Sequence, residues 1–304
     1  MKRKVIQVGN STQLISLPRK WCKAYNIEKG QELTVEIIGT SLRVATENLT
    51  SVERKELDIK DLSPMILRSI VALYKKGVDE IRISYNDPSL VTEVQKSIGK
   101  EAVGFEIIDQ SSDHCIIKHV SGELGDFDSV LRRTFLLLIN MAKETLHALE
   151  KKELDSMKNI AFLEQANNRF TTICRRLLNK KGHRDYLTGP LYYIIEDLEN
   201  IADEFKYLCQ YLSECDKEKI KVRKEILSLF SEVTIIIDDF YSIYYKFDKK
   251  LLAKMGRKRK LIVKENLKYF TNKASNEELI ILHHLSVITQ KMFCLIGPYL
   301  VMKL

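Results

Sequence analysis

The stretch Leu191-Tyr-Tyr-Ile-Ile-Glu-Asp-Leu-Glu-Asn-Ile-Ala-Asp-Glu-Phe-Lys-Tyr-Leu-Cys-Gln-Tyr-Leu212 decides the fold class. Leu191, Ile194, Leu198, Ile201, Phe205, Leu208 and Leu212 recur every three or four residues, which sets them on one face of a helix and predicts a core stripe. The same period runs from Phe127 to Leu304, and the predicted helices span 127–150, 153–180, 188–214, 217–247, 258–271 and 276–303. Short joints are expected at Lys181-Gly182 and Gly256. Two sets of three helices make a repeat at the level of architecture.

Upstream, the period changes. In residues 58–122, Ser63-Pro64 caps a predicted helix that runs to Lys76 and stops at Gly77. Glu80 to Tyr85 alternates as a strand with Ile81 and Ile83 on one face, and Asp87-Pro88 opens a helix that Gly99 stops. Phe105–Ile108 and Cys115–Val120 are two further strands, paired across Asp109 to His114, so this segment is a small α/β connector. Residues 1–50 read as β with one short helix. Short strands at Lys4–Val8 and Gln13–Leu17 flank the turn Gly9-Asn10-Ser11, and Pro18 stands at position N1 of a helix over Arg19–Tyr25. Glu32–Ile38 and Leu42–Ala45 form a hairpin around Gly39-Thr40-Ser41. So thin a segment buries too little surface to stand alone, which predicts a homodimer. The fold class is therefore multidomain α+β: a β-rich head at 1–50, the connector at 58–122 and a helical domain at 127–304.

Twelve Gly and five Pro in 304 residues exclude a collagen-like or low-complexity chain, and 45% apolar residues supply a sizeable core. No run approaches 18 uninterrupted apolar residues, and no signal-peptide pattern follows Lys2-Arg3-Lys4, so no membrane insertion is expected. The six cysteines follow no framework spacing and read as reduced thiols of a cytoplasmic protein. The net charge of +8 is concentrated. Residues 1–50 carry eight Lys or Arg against four Glu, and residues 249–273 carry ten against Glu265 alone. Positive patches of this kind attract polyanions, nucleic acid first and anionic lipid second.

Catalytic patterns are missing: there is no GxSxG, Walker loop or HExxH, and the protein reads as no enzyme. Glu144 and His147 spell an ExxH, but the second copy that a di-iron bundle requires is not there, because neither His283 nor His284 has a Glu three residues before it. Glu199 and Asp203, one turn apart, stack like charges beside the apolar stripe, and Glu164 and Asn168 have the same spacing on the preceding helix. Facing each other, Glu164, Glu199 and Asp203 offer hard oxygen ligands to a divalent or ferric ion; the alternative is a solvated acidic face.

Two resemblances rest on these residues. Val8-Gly9-Asn10-Ser11, Ile15-Ser16-Leu17-Pro18 and Asn26-Ile27-Glu28-Lys29-Gly30-Gln31-Glu32-Leu33 resemble the AbrB/MazE/SpoVT swapped-hairpin DNA-binding family, over residues 4–45. That resemblance implies an interlaced dimer presenting basic side chains to double-stranded DNA. Lys4, Arg19, Lys20 and Lys23 are then the candidate phosphate contacts, with Asn10 and Ser11 near the groove. Lys2 and Arg3 suit a flexible arm, Trp21 the head's core, and Arg257-Lys-Arg-Lys260 a secondary polyanion patch. Asp197-Leu-Glu-Asn-Ile-Ala-Asp203 and Leu163-Glu-Gln-Ala-Asn-Asn-Arg-Phe170 are similar to the signature helices of the phosphate-uptake regulator PhoU, over residues 127–304, with Asn168 where the family has Asp. This implies two three-helix repeats with metal-binding carboxylates; the last helix, with Leu282-His-His-Leu-Ser-Val287, lacks the acidic pair. Together the two resemblances, an archaeal-type arrangement, imply a DNA-binding transcriptional regulator of phosphate uptake or phosphate homeostasis. The alternative is a signalling adaptor acting on a phosphate transporter or sensor, with the head serving dimerisation alone.

Overall fold

A computed structural model describes the chain except residues 1, 10, 39, 47–51, 123, 182–184, 217, 219 and 272–273. It divides into two compact units, Met1–Glu53 and Arg54–Leu304.

The first unit holds two antiparallel ribbons and one short helix. Strand β1 (Ile6–Val8) pairs with β2 (Thr12–Leu14), Ile6 opposite Leu14 and Val8 opposite Thr12. Between them Gly9 has φ +66°, a left-handed conformation that glycine adopts without Cβ strain. Helix α1 (Arg19–Ala24) starts one residue after Pro18, which occupies the N-cap rather than N1. Strands β3 (Thr34–Ile38) and β4 (Ser41–Ala45) pair with Val35 opposite Val44 and Ile37 opposite Leu42, so these four apolar side chains share one face. No described apolar side chain of this unit is buried. Trp21 is half-buried, against the Tyr25 ring at 5.8 Å, instead of forming a core.

The second unit begins with a four-stranded sheet of order β5-β6-β8-β7. Its edge strand β5 (Arg54–Asp58) runs parallel to β6 (Glu80–Ser84); β8 (His114–His119) is antiparallel to both β6 and β7 (Phe105–Gln110). β5 precedes the expected connector boundary at 58. Its sequence Arg-Lys-Glu-Leu-Asp carries no apolar alternation, and its strand form comes from pairing with β6. Helix α2 (Ile66–Lys76) ends, as the sequence predicts, at Gly77 with φ +102°. Its start differs: Met65 holds the N-cap and no side chain caps it. Helix α3 (Leu90–Lys100) runs through Gly99 rather than stopping there, since Val94 and Ile98 pin its last turns to the core. That core joins Ile70, Tyr74, Ile81, Ile83, Phe105 and Ile117.

The remaining helices are α4 (Phe127–Lys151), α5 (Met157–Lys181), α6 (Asp185–Glu214), α7 (Lys224–Tyr245), α8 (Lys249–Thr271), α9 (Asn276–Cys294) and α10 (Ile296–Lys303). Helices α4, α5 and α6 pack on one another, as do α7, α8 and α9, and the two sets join through α4 on α7 and α6 on α9. All seven stripe residues of α6 are buried. Gly256 lies inside α8, which begins at Lys249, not at 258, because the Asp248 carboxylate accepts the Lys250 and Leu251 amides. Helix α7 begins at Lys224, not 217; the backbone N–H and guanidinium of Arg223 are held instead by Glu278 at the start of α9. Gly182 of the expected joint lies outside the described residues. The segment Asn276–Lys303 has the length and apolarity of a spanning helix, yet Ile281, Leu282, Leu285, Ile288 and Met292 are core residues of the bundle.

Candidate functional site

In the first unit, Lys4, Ser11, Arg19, Lys20 and Lys23 are all exposed, and Asn10 lies outside the described residues. Arg19 and Lys23, one turn apart, share a face of α1. None of these cations forms an ion pair with a described residue, so their charge is directed to solvent. A cation face of this kind suits phosphate contacts, which orient a protein on a duplex without reading its bases.

The carboxylates of the second unit lie in a cleft of about 660 Å³ between α2–α3 and α5–α6. Glu164 and Asn168 on α5, and Glu199 and Asp203 on α6, all line it. Their partners are the chain's own cations. The Lys206 ammonium donates to Glu164 Oε1 at 2.9 Å and to Asp203, while Asn168 Nδ2 donates to the same Glu164 oxygen at 2.8 Å. Burial alone would lower the Lys206 pKa, but the hydrogen bonds it donates to Asp203 and Glu164 outweigh burial and hold the ammonium above its usual range. Glu199 Oε2 accepts from Arg175 Nη1 at 2.8 Å and Thr171 Oγ1 at 2.6 Å, and Arg175 also pairs with Glu196 at 2.9 Å. A metal ion between Glu164 and Asp203 would have to displace Lys206. Among the described residues, no group of three or more His, Cys, Asp or Glu is arranged to hold one.

The opposite wall bears Lys75 and Glu101. Burial, reinforced by Arg175, lowers the Lys75 pKa, and burial raises that of Glu101. The cleft is thus lined by both charge signs. Burial pushes the Cys115 thiol up to about 11 and Cys174 to about 12, which leaves little thiolate at neutral pH.

Lys206 in the cleft, and Thr171 and Arg175 that donate to Glu199, were not singled out from the sequence, although a signal was present. Glu164, Asn168, Thr171 and Arg175 recur every three or four residues, a polar stripe down the helix, and Lys206 stands three after Asp203. Two further links escaped it. Arg176, almost fully buried, donates to the carbonyls of Tyr74 at 3.0 Å and Val78 at 2.6 Å and to Asp79 at 2.6 Å, joining the helices to the sheet layer. His284 finds its carboxylate across helices, Nδ1 to Glu204 at 2.7 Å, and not within its own. Glu144 and His147 are exposed on α4.

No family model matches the chain. No curated protein matches it either. A solved structure does: the phosphate transport system regulatory protein PhoU from Streptococcus pneumoniae, at 14% identity and a TM-score of 0.47, covering 57% of this chain and 91% of that one. A likeness at that level does not transfer function.

Proposed function

We propose that the protein is a homodimeric, non-enzymatic DNA-binding regulator of the cytoplasm. In this reading residues 1–53 dimerise and grip double-stranded DNA, and residues 54–304 serve as the regulatory part, acting in phosphate uptake or phosphate homeostasis. One observation carries the proposal: the first unit exposes apolar ribbon faces, Ile37 and Leu42 above all, and also holds a helix bearing the exposed Arg19, Lys20 and Lys23. Two-stranded ribbons with uncovered apolar faces are not stable in water, so a second copy is the natural cover, and the unpaired cations are left for phosphates. The phosphate direction rests on the resemblance of Leu163–Phe170 and Asp197–Asp203 to PhoU helices.

The test is DNA binding as a function of salt. With about three phosphates neutralised per protomer, log K should fall against log salt with a slope of roughly −5. Arg19→Ala with Lys23→Ala should flatten the slope, and removing residues 1–53 should abolish specific binding. A chain that dimerises through its head yet shows no duplex binding at low salt is instead an adaptor for a transporter or sensor partner.

A further inference from the structure

Helix α8 carries its charge on one side. At 100° per residue, Lys249, Lys250, Lys254, Arg257, Lys260, Lys264 and Lys268 fall within one outward arc, and all seven are exposed. Met255, Ile262 and Asn266 mark the opposite, buried side. The remaining cations of the basic run turn inward: Lys258 pairs with Glu232 at 2.6 Å, and Arg259 donates to Gln290 at 3.0 Å and stacks over the Phe293 ring. On the outer arc Lys268 meets Glu265 at 3.1 Å, whereas Lys249, Lys250, Lys254, Arg257, Lys260 and Lys264 form no ion pair with any described residue.

Such a face works against the fold. Lys249 and Lys250 crowd the positive end of the helix dipole, where Asp248 just before the helix is the one acidic group among the described residues nearby in sequence. Lys250 with Lys254, Lys260 with Lys264, and Lys264 with Lys268 repeat the repulsive one-turn spacing. A partner of opposite charge would offset both. The same arc also exposes Leu261 and Leu267, at 63% and 62%. A nucleic-acid backbone would satisfy the cations and leave these leucines in water. An anionic bilayer interface offers phosphates to the ammonium groups and an acyl layer to the leucines, while the lysine stems lie along the boundary.

We propose that the outer face of α8 docks on an anionic phospholipid surface, about 29 Å of helix from Lys249 to Lys268 lying along the membrane plane. This inference does not depend on the proposed function.

Flotation of the full chain with phosphatidylcholine vesicles, with and without phosphatidylglycerol, tests it. Wild type should float with the phosphatidylglycerol vesicles alone and be released by high salt. Changing Lys254, Arg257, Lys260 and Lys264 to Glu should lower the partition coefficient by at least about tenfold. Leu261→Ser with Leu267→Ser should lower it several-fold at low salt, and Arg19→Ala with Lys23→Ala should leave it unchanged. If the Glu variant does not fold, the same four positions changed to Gln carry the test, with the melting curve as the check. Equal binding to both vesicle types, or binding that survives the charge changes, overturns the proposal. So does a charge variant that keeps vesicle binding but loses its affinity for random duplex DNA, which would assign the face to nucleic acid.

Discussion

Replacing Ile37 by Thr separates a solvated ribbon from a dimer interface. Ile37 is 81% exposed within one chain and stands opposite Leu42, itself 63% exposed. Thr keeps the β-branched shape, and hence the strand preference, but exchanges an apolar arm for a hydroxyl. On a free surface that change shifts stability by within about 0.5 kcal/mol. If a second copy covers the face, each Ile37 contributes about 1.5 kcal/mol or more by burial. A symmetric dimer holds two copies, so the loss is about 3 kcal/mol, roughly a hundredfold in the dimer Kd. Sedimentation velocity of the full chain over a concentration series reads this directly. Glu36→Gln, on the other face of β3, is the control and should leave Kd unchanged. A wild type that remains monomeric at every concentration, or an Ile37→Thr dimer within twofold of wild type, would refute the reasoning.

Arg176→Met should cost about 3–5 kcal/mol in denaturant unfolding, because it strands the carbonyls of Tyr74 and Val78 and removes a buried partner of Asp79; a cost under 1 kcal/mol would show that the joint is not held by this side chain. Lys206→Met should destabilise by about 3 kcal/mol, since it leaves the buried Glu164 and its neighbour Asp203 without their ammonium. Added divalent or ferric ions should then raise the melting temperature of that variant, and an unchanged melting temperature would mean that these carboxylates do not take a metal even when vacated. Glu278 accepts from the Arg223 guanidinium at 3.0 Å and from the Ser275 amide at 3.2 Å; burial would raise its pKa, but these bonds outweigh burial and lower it below the ordinary 4.5. A carboxylate whose pKa is depressed by folding stabilises above 4.5 and loses that contribution as pH falls through its folded value. Wild type should therefore lose stability below that pH faster than Glu278→Gln, and parallel acid profiles for the two would contradict the assignment.

The stripe from Leu191 to Leu212, the alternation of Ile81 and Ile83 and the stop at Gly77 are local patterns, and each reports which face of its element meets a core. They were legible because burial repeats with the period of the backbone. The pairing of Glu164 with Asn168, and of Glu199 with Asp203, on one flank of each helix was legible for the same reason: one-turn spacing places side chains on one flank whatever the helix packs against. What those carboxylates meet was not. Whether Lys206 and Arg175 turn into the cleft depends on the rotation of α5 and α6 about their axes, which the packing of the bundle sets. Strand β5 had no pattern of its own because a polar edge strand is made by its neighbour, here with Arg54 on Glu80 at 3.0 Å. Gly99 and Gly256 read as breaks, yet each sits in a helix, since the helix preference lost at one glycine is about 1 kcal/mol and packing of the adjoining turns outweighs it. The sequence by itself determined which residues seek a core and where charge accumulates. The tertiary structure decided which charges meet, because ion pairs such as Arg176 with Asp79 and Arg223 with Glu278 join residues far apart in the chain, brought within reach by packing alone.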